Sequence, residues 1–152
     1  VINTYKDKSF KSVTAGDLDL DTEEEKEKIK KQEDSHKTLF EKMKNSLGDA
    51  VTKVKISSRL KSHPVCLSTE GEISLEMEKV LNQNPANGNA VKAQRVLEIN
   101  ANHPIFAKLT SMENDDKKLG KYTKLLYDQA LLIEGLPIED PVEFSNLVCE
   151  LM

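Results

Sequence analysis

The chain has 152 residues, a formal net charge of −4 and 38% apolar residues. This length suits one domain of ordinary size. The acidic balance argues against a nucleic-acid partner, because phosphate binding needs a concentrated basic patch. No run of 18 apolar residues is present, so no membrane contact is expected. The chain begins at Val1 and shows no signal peptide, so we interpret it as a piece of a longer protein.

The first segment, residues 1–20, alternates loosely and ends in a turn, which is typical of a linker or of the end of a preceding domain. The next segment, residues 21–34, is almost entirely charged. Thr22 and Glu25 form a capping box pattern, in which each side chain bonds the other residue's backbone N–H. This pattern predicts a solvated helix or a linker at residues 21–34, at the start of a folded domain that covers residues 21–152.

The middle of the chain predicts one helix and three strands. Apolar residues at helical spacing precede Gly48, which suits a helix end in the left-handed conformation. Residues 50–58 alternate between apolar and polar, as a half-buried strand does, and residues 64–69 and 95–99 predict two more strands. We therefore expect an α+β fold with a small, mostly antiparallel three-stranded sheet packed with helices.

Residues 72–81 predict a short amphipathic helix, followed by an Asn-, Gly- and Pro-rich loop at 82–89. The pattern alone favours packing of its apolar stripe into the core. The alternative is adaptable contact with other proteins, because a Met side chain is flexible and polarizable. The residues of the stripe are Ile73, Met77, Val80 and Leu81.

The last 34 residues predict two helices that carry more apolar surface than they could cover alone. The first begins at Asp115 or Asp116 and ends at Gly135, and the second begins at Asp140 with Pro141 in its first turn. Chain ends are normally polar unless another element covers them. The pattern therefore predicts that a second copy of the chain packs against these helices.

The sequence offers no recognisable catalytic, nucleotide-binding or metal-binding motif. The six glycines are scattered singly, and no Ser-His-Asp, Cys-His or HExxH arrangement can be assembled. Cys66 and Cys149 are isolated thiols, which suits a reducing cytoplasm better than a disulfide or a metal site. From the residues alone we expect no enzyme activity, no cofactor and no metal in this chain.

Three segments resemble the heat-shock protein 90 (Hsp90) chaperones, in the right order along the chain. Residues 54–67 resemble the family's strand–turn–strand signature, and residues 97–104 its Leu-Glu-Ile-Asn segment, although Ala101 stands where the family usually has Pro. Residues 125–135 resemble its long dimerisation helix. The chain is thereby identified as the C-terminal domain of a bacterial member.

The resemblance implies a cytoplasmic, ATP-dependent chaperone of the stress response that binds unfolded proteins. ATP and Mg²⁺ would bind upstream of this chain, in the parent's N-terminal domain. This fragment itself would bind no cofactor. The last two helices of each copy would form a dimeric four-helix bundle. The alternative is a regulatory helical adaptor with no chaperone role.

The resemblance also implies roles for individual residues. The stripe at Ile73, Met77, Val80 and Leu81 corresponds to an exposed helix that contacts client proteins. The expected dimer interface consists of apolar and amide side chains on the two terminal helices: Leu119, Tyr122, Leu125, Leu126, Gln129, Ala130, Ile133, Phe144, Leu147, Val148 and Leu151.

Overall fold

The computed structural model describes residues 4–6, 8–9, 23–83 and 91–152. The turn expected near residue 20, the capping role of Thr22 and most of the loop expected at 82–89 lie outside these residues. The described part contains six α-helices: α1 (Glu23–Ser35), α2 (Lys37–Leu47), α3 (Leu75–Gln83), α4 (Pro104–Ser111), α5 (Asp116–Ile133) and α6 (Pro141–Leu151).

The strands form two small sheets. A short antiparallel pair, β1 (Thr4–Tyr5) and β2 (Lys8–Ser9), lies near the start of the chain. The larger sheet contains β3 (Lys53–Ile56), β4 (Val65–Glu70) and β5 (Gln94–Ile99) in the order β3–β5–β4.

The larger sheet is mixed, whereas the sequence predicts a mostly antiparallel sheet. β5 pairs antiparallel with β4 but parallel with β3. The difference arises because β5 enters between the two earlier strands instead of extending one edge. An alternating pattern shows which residues share a face, but it does not show which strands are neighbours.

The hydrophobic core lies on one face of this sheet. The paired residues Val54 and Leu97 lie on that face, as do Val65 and Ile99. Helices α2 and α5 pack against each other and cover the face. The core residues that they contribute are buried: Leu39, Phe40 and Met43 from α2, and Leu119, Leu126, Ala130 and Leu131 from α5. Each such Leu or Phe stabilises the fold by about 1.5–3 kcal/mol.

Hydrogen bonds at the helix ends position the terminal pair. The side chain of Asp115 accepts a bond from the Lys118 N–H at 3.0 Å, and that of Asp140 accepts one from the Glu143 N–H at 2.9 Å, so both predicted N-caps are confirmed. For α4 the N-cap is His103, whose Nδ1 accepts from the Ile105 N–H.

α5 ends in a Schellman motif. Gly135 has φ of +65°, and its N–H bonds the Leu132 carbonyl while the Leu136 N–H bonds the Leu131 carbonyl. The reversal fixes the direction in which the chain leaves α5 and returns to α6.

Candidate functional site

The outer side of the α5–α6 pair exposes large apolar side chains. Ile133 is 51% exposed, Leu132 is 52% exposed and Val142 is 70% exposed. Exposed apolar residues that occur together on one surface mark sites of contact with other proteins. We use the name terminal face for the exposed or half-buried side chains that share one face of α5, which are Leu125, Gln129, Leu132 and Ile133, together with those that share one face of α6, which are Phe144, Val148 and Leu151.

The expected dimer-interface residues divide into two groups. Leu125, Gln129, Ile133, Phe144, Val148 and Leu151 are exposed or half-buried on the terminal face. The other five are buried within the single chain: Leu119, Tyr122, Leu126, Ala130 and Leu147. Their role at an interface stays a prediction, because only one copy is present, but their burial already gives them a role in the fold.

Ion pairs hold α6 in position along α5. Lys121 pairs with Glu150 and Lys124 pairs with Glu143, one near each end of α6. These pairs are partly exposed, so each contributes about 0–1 kcal/mol. They therefore set the relative position of the two helices more than they stabilise the fold.

Asp128 lies in the same region and is buried. Burial raises the pKa of its carboxyl group, as do the negative charges of Glu143, Glu139 and Asp140, while Lys124 opposes the shift. The Oδ2 atom of Asp128 has no hydrogen-bond partner among the described residues.

Helix α3 presents the outward part of the stripe expected to contact clients. Met77 is 48% exposed and Val80 is 67% exposed, whereas Ile73 and Leu81 are half-buried. Ile73 precedes the helix and packs against the core. The side of α3 that faces the rest of the protein carries Leu75 and Glu78. Neither residue belongs to the predicted apolar stripe.

A buried carboxylate, Glu98, lies at the centre of the second face of the sheet. It accepts hydrogen bonds from the hydroxyls of Ser57 at 2.8 Å and Ser68 at 2.7 Å. Lys55 and Arg59 each form an ion pair with it at 3.3 Å. Burial raises the pKa of Glu98, but these hydroxyls and cations outweigh burial, so its pKa is lowered overall. Glu98 therefore remains ionised and ties all three strands together.

A second buried polar cluster joins α3, β5 and α5. Arg95 on β5 donates from Nη2 to Glu78 Oε1 at 2.5 Å and from Nη1 to the Tyr127 hydroxyl at 2.7 Å. The other carboxylate oxygen of Glu78 accepts from the Ala93 N–H at 2.9 Å. All three side chains are buried, so the bonds form in a region of low dielectric where they are strong.

Sequence reasoning missed both polar clusters. The signal was present in β5, where Arg95 and Glu98 occur beside the apolar residues Val96, Leu97 and Ile99. A charged residue in the middle strand of a sheet must be paired, because an unpaired buried charge is very costly. Without the strand order, however, the sequence does not show that β5 is the middle strand.

The described residues include no group of three His, Cys, Asp or Glu side chains that could hold a metal ion. Both thiols are free, and burial raises the pKa of Cys66 to about 11, with the nearby charge of Glu98 adding to the shift.

A cleft of about 300 Å³ between α1, α2 and β3 is lined by side chains of both charges, including Glu33, Lys37 and Lys53. None of the helices in the described ranges is long and apolar enough to cross a membrane.

The terminal face and the outer side of α3 are the features of a protein that contacts other proteins through apolar surfaces. Comparison with known proteins identifies the family of the chain. The model of the Hsp90 protein family matches residues 1–152, and the chain belongs to that family. The resemblance of its three sequence segments to Hsp90 chaperones is thereby confirmed.

The relatives of this chain are bacterial chaperones. It is 55% identical over 153 aligned residues to the chaperone protein HtpG of Bacillus subtilis (strain 168), and 56% identical to that of Alkaliphilus oremlandii (strain OhILAs). Each alignment covers 100% of this chain and 24% of the relative. The chain thus spans about a quarter of the length of the relatives it matches.

The family match corrects two expectations, that this fragment of an ATPase chaperone has no catalytic site and that no cofactor binds in it. Both rested on missing motifs. The match to Hsp90, an ATP-dependent family, covers the whole chain. The lack of recognisable motifs is therefore not evidence that the chain takes no part in that ATPase. Mg²⁺ in a nucleotide site is held by one or two carboxylates together with the phosphates, so the lack of a three-ligand cluster in the described residues is not evidence against such a site.

Proposed function

We propose that this chain is the homodimerisation domain of an ATP-dependent bacterial chaperone of the Hsp90 family and works in the cytoplasm. The observation that carries the proposal is the terminal face, on which the apolar side chains of Leu132 and Ile133 are each about half exposed. A C-terminal position in the whole chaperone is part of the proposal. It is supported by the resemblance of residues 97–104 and 125–135 to segments of that domain.

The terminal face suits a symmetric partner. In a two-fold dimer the same patch meets itself, so a patch must be self-complementary. The side chains of the terminal face are apolar apart from Gln129, and the two lysines of α5 that reach α6, Lys121 and Lys124, are paired with Glu150 and Glu143 within the chain. Two copies can therefore approach without a net repulsion between the surfaces that meet. The proposed arrangement is a four-helix bundle with α5 and α6 from each copy.

Sedimentation equilibrium of the chain at micromolar concentration tests the proposal. We expect a species of twice the monomer mass of 17.1 kDa, because stable interfaces bury about 1,200–2,000 Å² in total and are long-lived at such concentrations. If the chain remains monomeric up to about 100 µM, it has no dimerisation role at any affinity useful to a cytoplasmic chaperone.

A second function, contact with unfolded client proteins, is supported by the exposure of Met77 and Val80 on α3. Both side chains are apolar and surrounded by solvent-exposed polar residues, and Met adapts its shape to different partners. The proposed ligand is an apolar segment of an unfolded chain.

Replacement of Met77 and Val80 by Ser is expected to reduce the protection of an unfolded protein at least twofold, because the exposed apolar area of α3 is removed. Light scattering of reduced insulin with increasing amounts of the chain measures this protection. Glu76→Ser, an exposed polar change on the same helix, is the control and should leave protection unchanged. Equal protection by all three proteins would refute the α3 site, and no protection by the unmodified chain would favour a regulatory adaptor.

A further inference from the structure

Helix α3 is held against the rest of the protein mainly by polar contacts. It has nine residues, which is too short for a stable isolated helix, so its helical state depends on its docking. Leu75 is its one buried apolar residue among those described, and Glu78 is its other buried side chain. A helix docked by apolar packing would instead bury a continuous stripe.

Three polar contacts fix α3 at successive points. Glu78 is bonded by Arg95 and by the Ala93 N–H. Lys79 Nζ donates to the Glu134 carbonyl at the end of α5. Further along, the amide of Asn82 forms two bonds with the backbone of Val91, at 2.9 and 3.0 Å. We call the Glu78 and Lys79 contacts, together with the Arg95–Tyr127 bond, the α3 clamp.

The far end of the α3 clamp lies on α5. The Tyr127 hydroxyl accepts from Arg95 Nη1 and so orients the guanidinium group whose other nitrogen bonds Glu78. The Nε of Arg95 has no hydrogen-bond partner within the described residues, so the orientation of this group depends on few bonds. Lys79 reaches α5 directly, through the carbonyl of Glu134. α3 is thus tied to the same helix that carries Leu132 and Ile133 of the terminal face.

We propose that the α3 clamp makes the docking of α3 depend on α5, so that release of the clamp undocks α3 as a unit and exposes Leu75 beside Met77 and Val80. The consequence rests on the proposed client contact at α3: undocking enlarges the apolar surface offered to an unfolded segment. Tyr127 is a positioning residue in this device, because its hydroxyl bonds Arg95 and the Ala50 carbonyl and acts on α3 through Arg95.

Hydrogen exchange of the backbone amides of residues 75–83, measured by mass spectrometry on the whole chain, tests the clamp. Glu78→Gln is expected to speed their exchange about tenfold, because it removes a charge-assisted bond. Tyr127→Phe keeps the ring and removes only the hydroxyl, and it should speed exchange about threefold or more. Lys121→Gln, which removes a charge from α5 but not from the clamp, is the control and should change nothing in α3.

Two results would overturn the inference. Unchanged exchange in α3 for Tyr127→Phe would show that α5 does not influence its docking. An equal rise in exchange at β5, residues 94–99, would show general loss of stability instead of local undocking. The measurement requires neither a client nor a dimer. The α3 clamp can therefore be refuted while the proposed function stands, and the proposed function can be refuted while the α3 clamp stands.

Discussion

Replacement of Glu98 by Ala is expected to lower the free energy of unfolding by about 3 kcal/mol at pH 7, a large part of the stability of a domain of this size. The change leaves the buried hydroxyls of Ser57 and Ser68 without their acceptor, and Lys55 and Arg59 lose the charge that they share. The two cations are partly exposed, so water replaces part of that interaction, and the estimate is kept at the lower end of the range for buried pairs.

Urea unfolding followed by circular dichroism measures the effect, with Glu70→Ala as the matched control. Glu70 lies on the neighbouring strand β4 and pairs with Lys53 at the surface. Its loss should cost no more than about 1 kcal/mol. If the two variants lose the same stability, Glu98 does not tie the strands together as the structure indicates.

The same carboxylate predicts a pH dependence with a definite sign. The pKa of Glu98 in the folded protein is lowered from its ordinary value of 4.5. Its contribution is therefore fully present above pH 4.5 and is lost as the pH falls through the lower, folded-state pKa. The stability difference between the unmodified chain and Glu98→Gln should accordingly shrink below pH 4.5, and a difference that grows there would contradict the lowered pKa.

The second large effect concerns the proposed dimer. Ile133→Asp is expected to weaken self-association about 100-fold, because a charge would be buried without a partner when two terminal faces meet. Ile133 is about half exposed in the single chain, so the fold should tolerate the change. Sedimentation measures the dissociation constant, and circular dichroism checks that the helices remain.

Two further variants make this test specific. Thr38→Asp adds the same charge at an exposed position of α2 and should leave association unchanged. Leu126→Asp does not serve the purpose, although Leu126 belongs to the expected interface, because that side chain is buried in the core of its own chain and its loss would unfold the monomer. Unaltered association of Ile133→Asp would place any dimer contact elsewhere than the terminal face.

Local sequence signals predicted the terminal helices well. The short side chains of Asp115 and Asp140 place a carboxylate acceptor beside the first free N–H groups of α5 and α6, and both form the expected hydrogen bonds. Such caps depend on residues within three positions of each other, which is why a single sequence reveals them. A helix was also expected at 72–81 and lies at 75–83. Its inward side was not expected, because the burial of Glu78 depends on its bonds to Arg95 and Ala93.

The sequence by itself determined the α+β composition, the caps and the excess of apolar residues on the last two helices. Only the tertiary structure decided which of those residues are used inside the chain, as Leu126 and Ala130 are, and which remain outside, as Leu132 and Ile133 do. Periodicity assigns a residue to a face of its own helix, but the neighbour that covers this face comes from distant parts of the chain. The same reason applies to β5, whose place between β3 and β4 brings Arg95 and Glu98 to their partners.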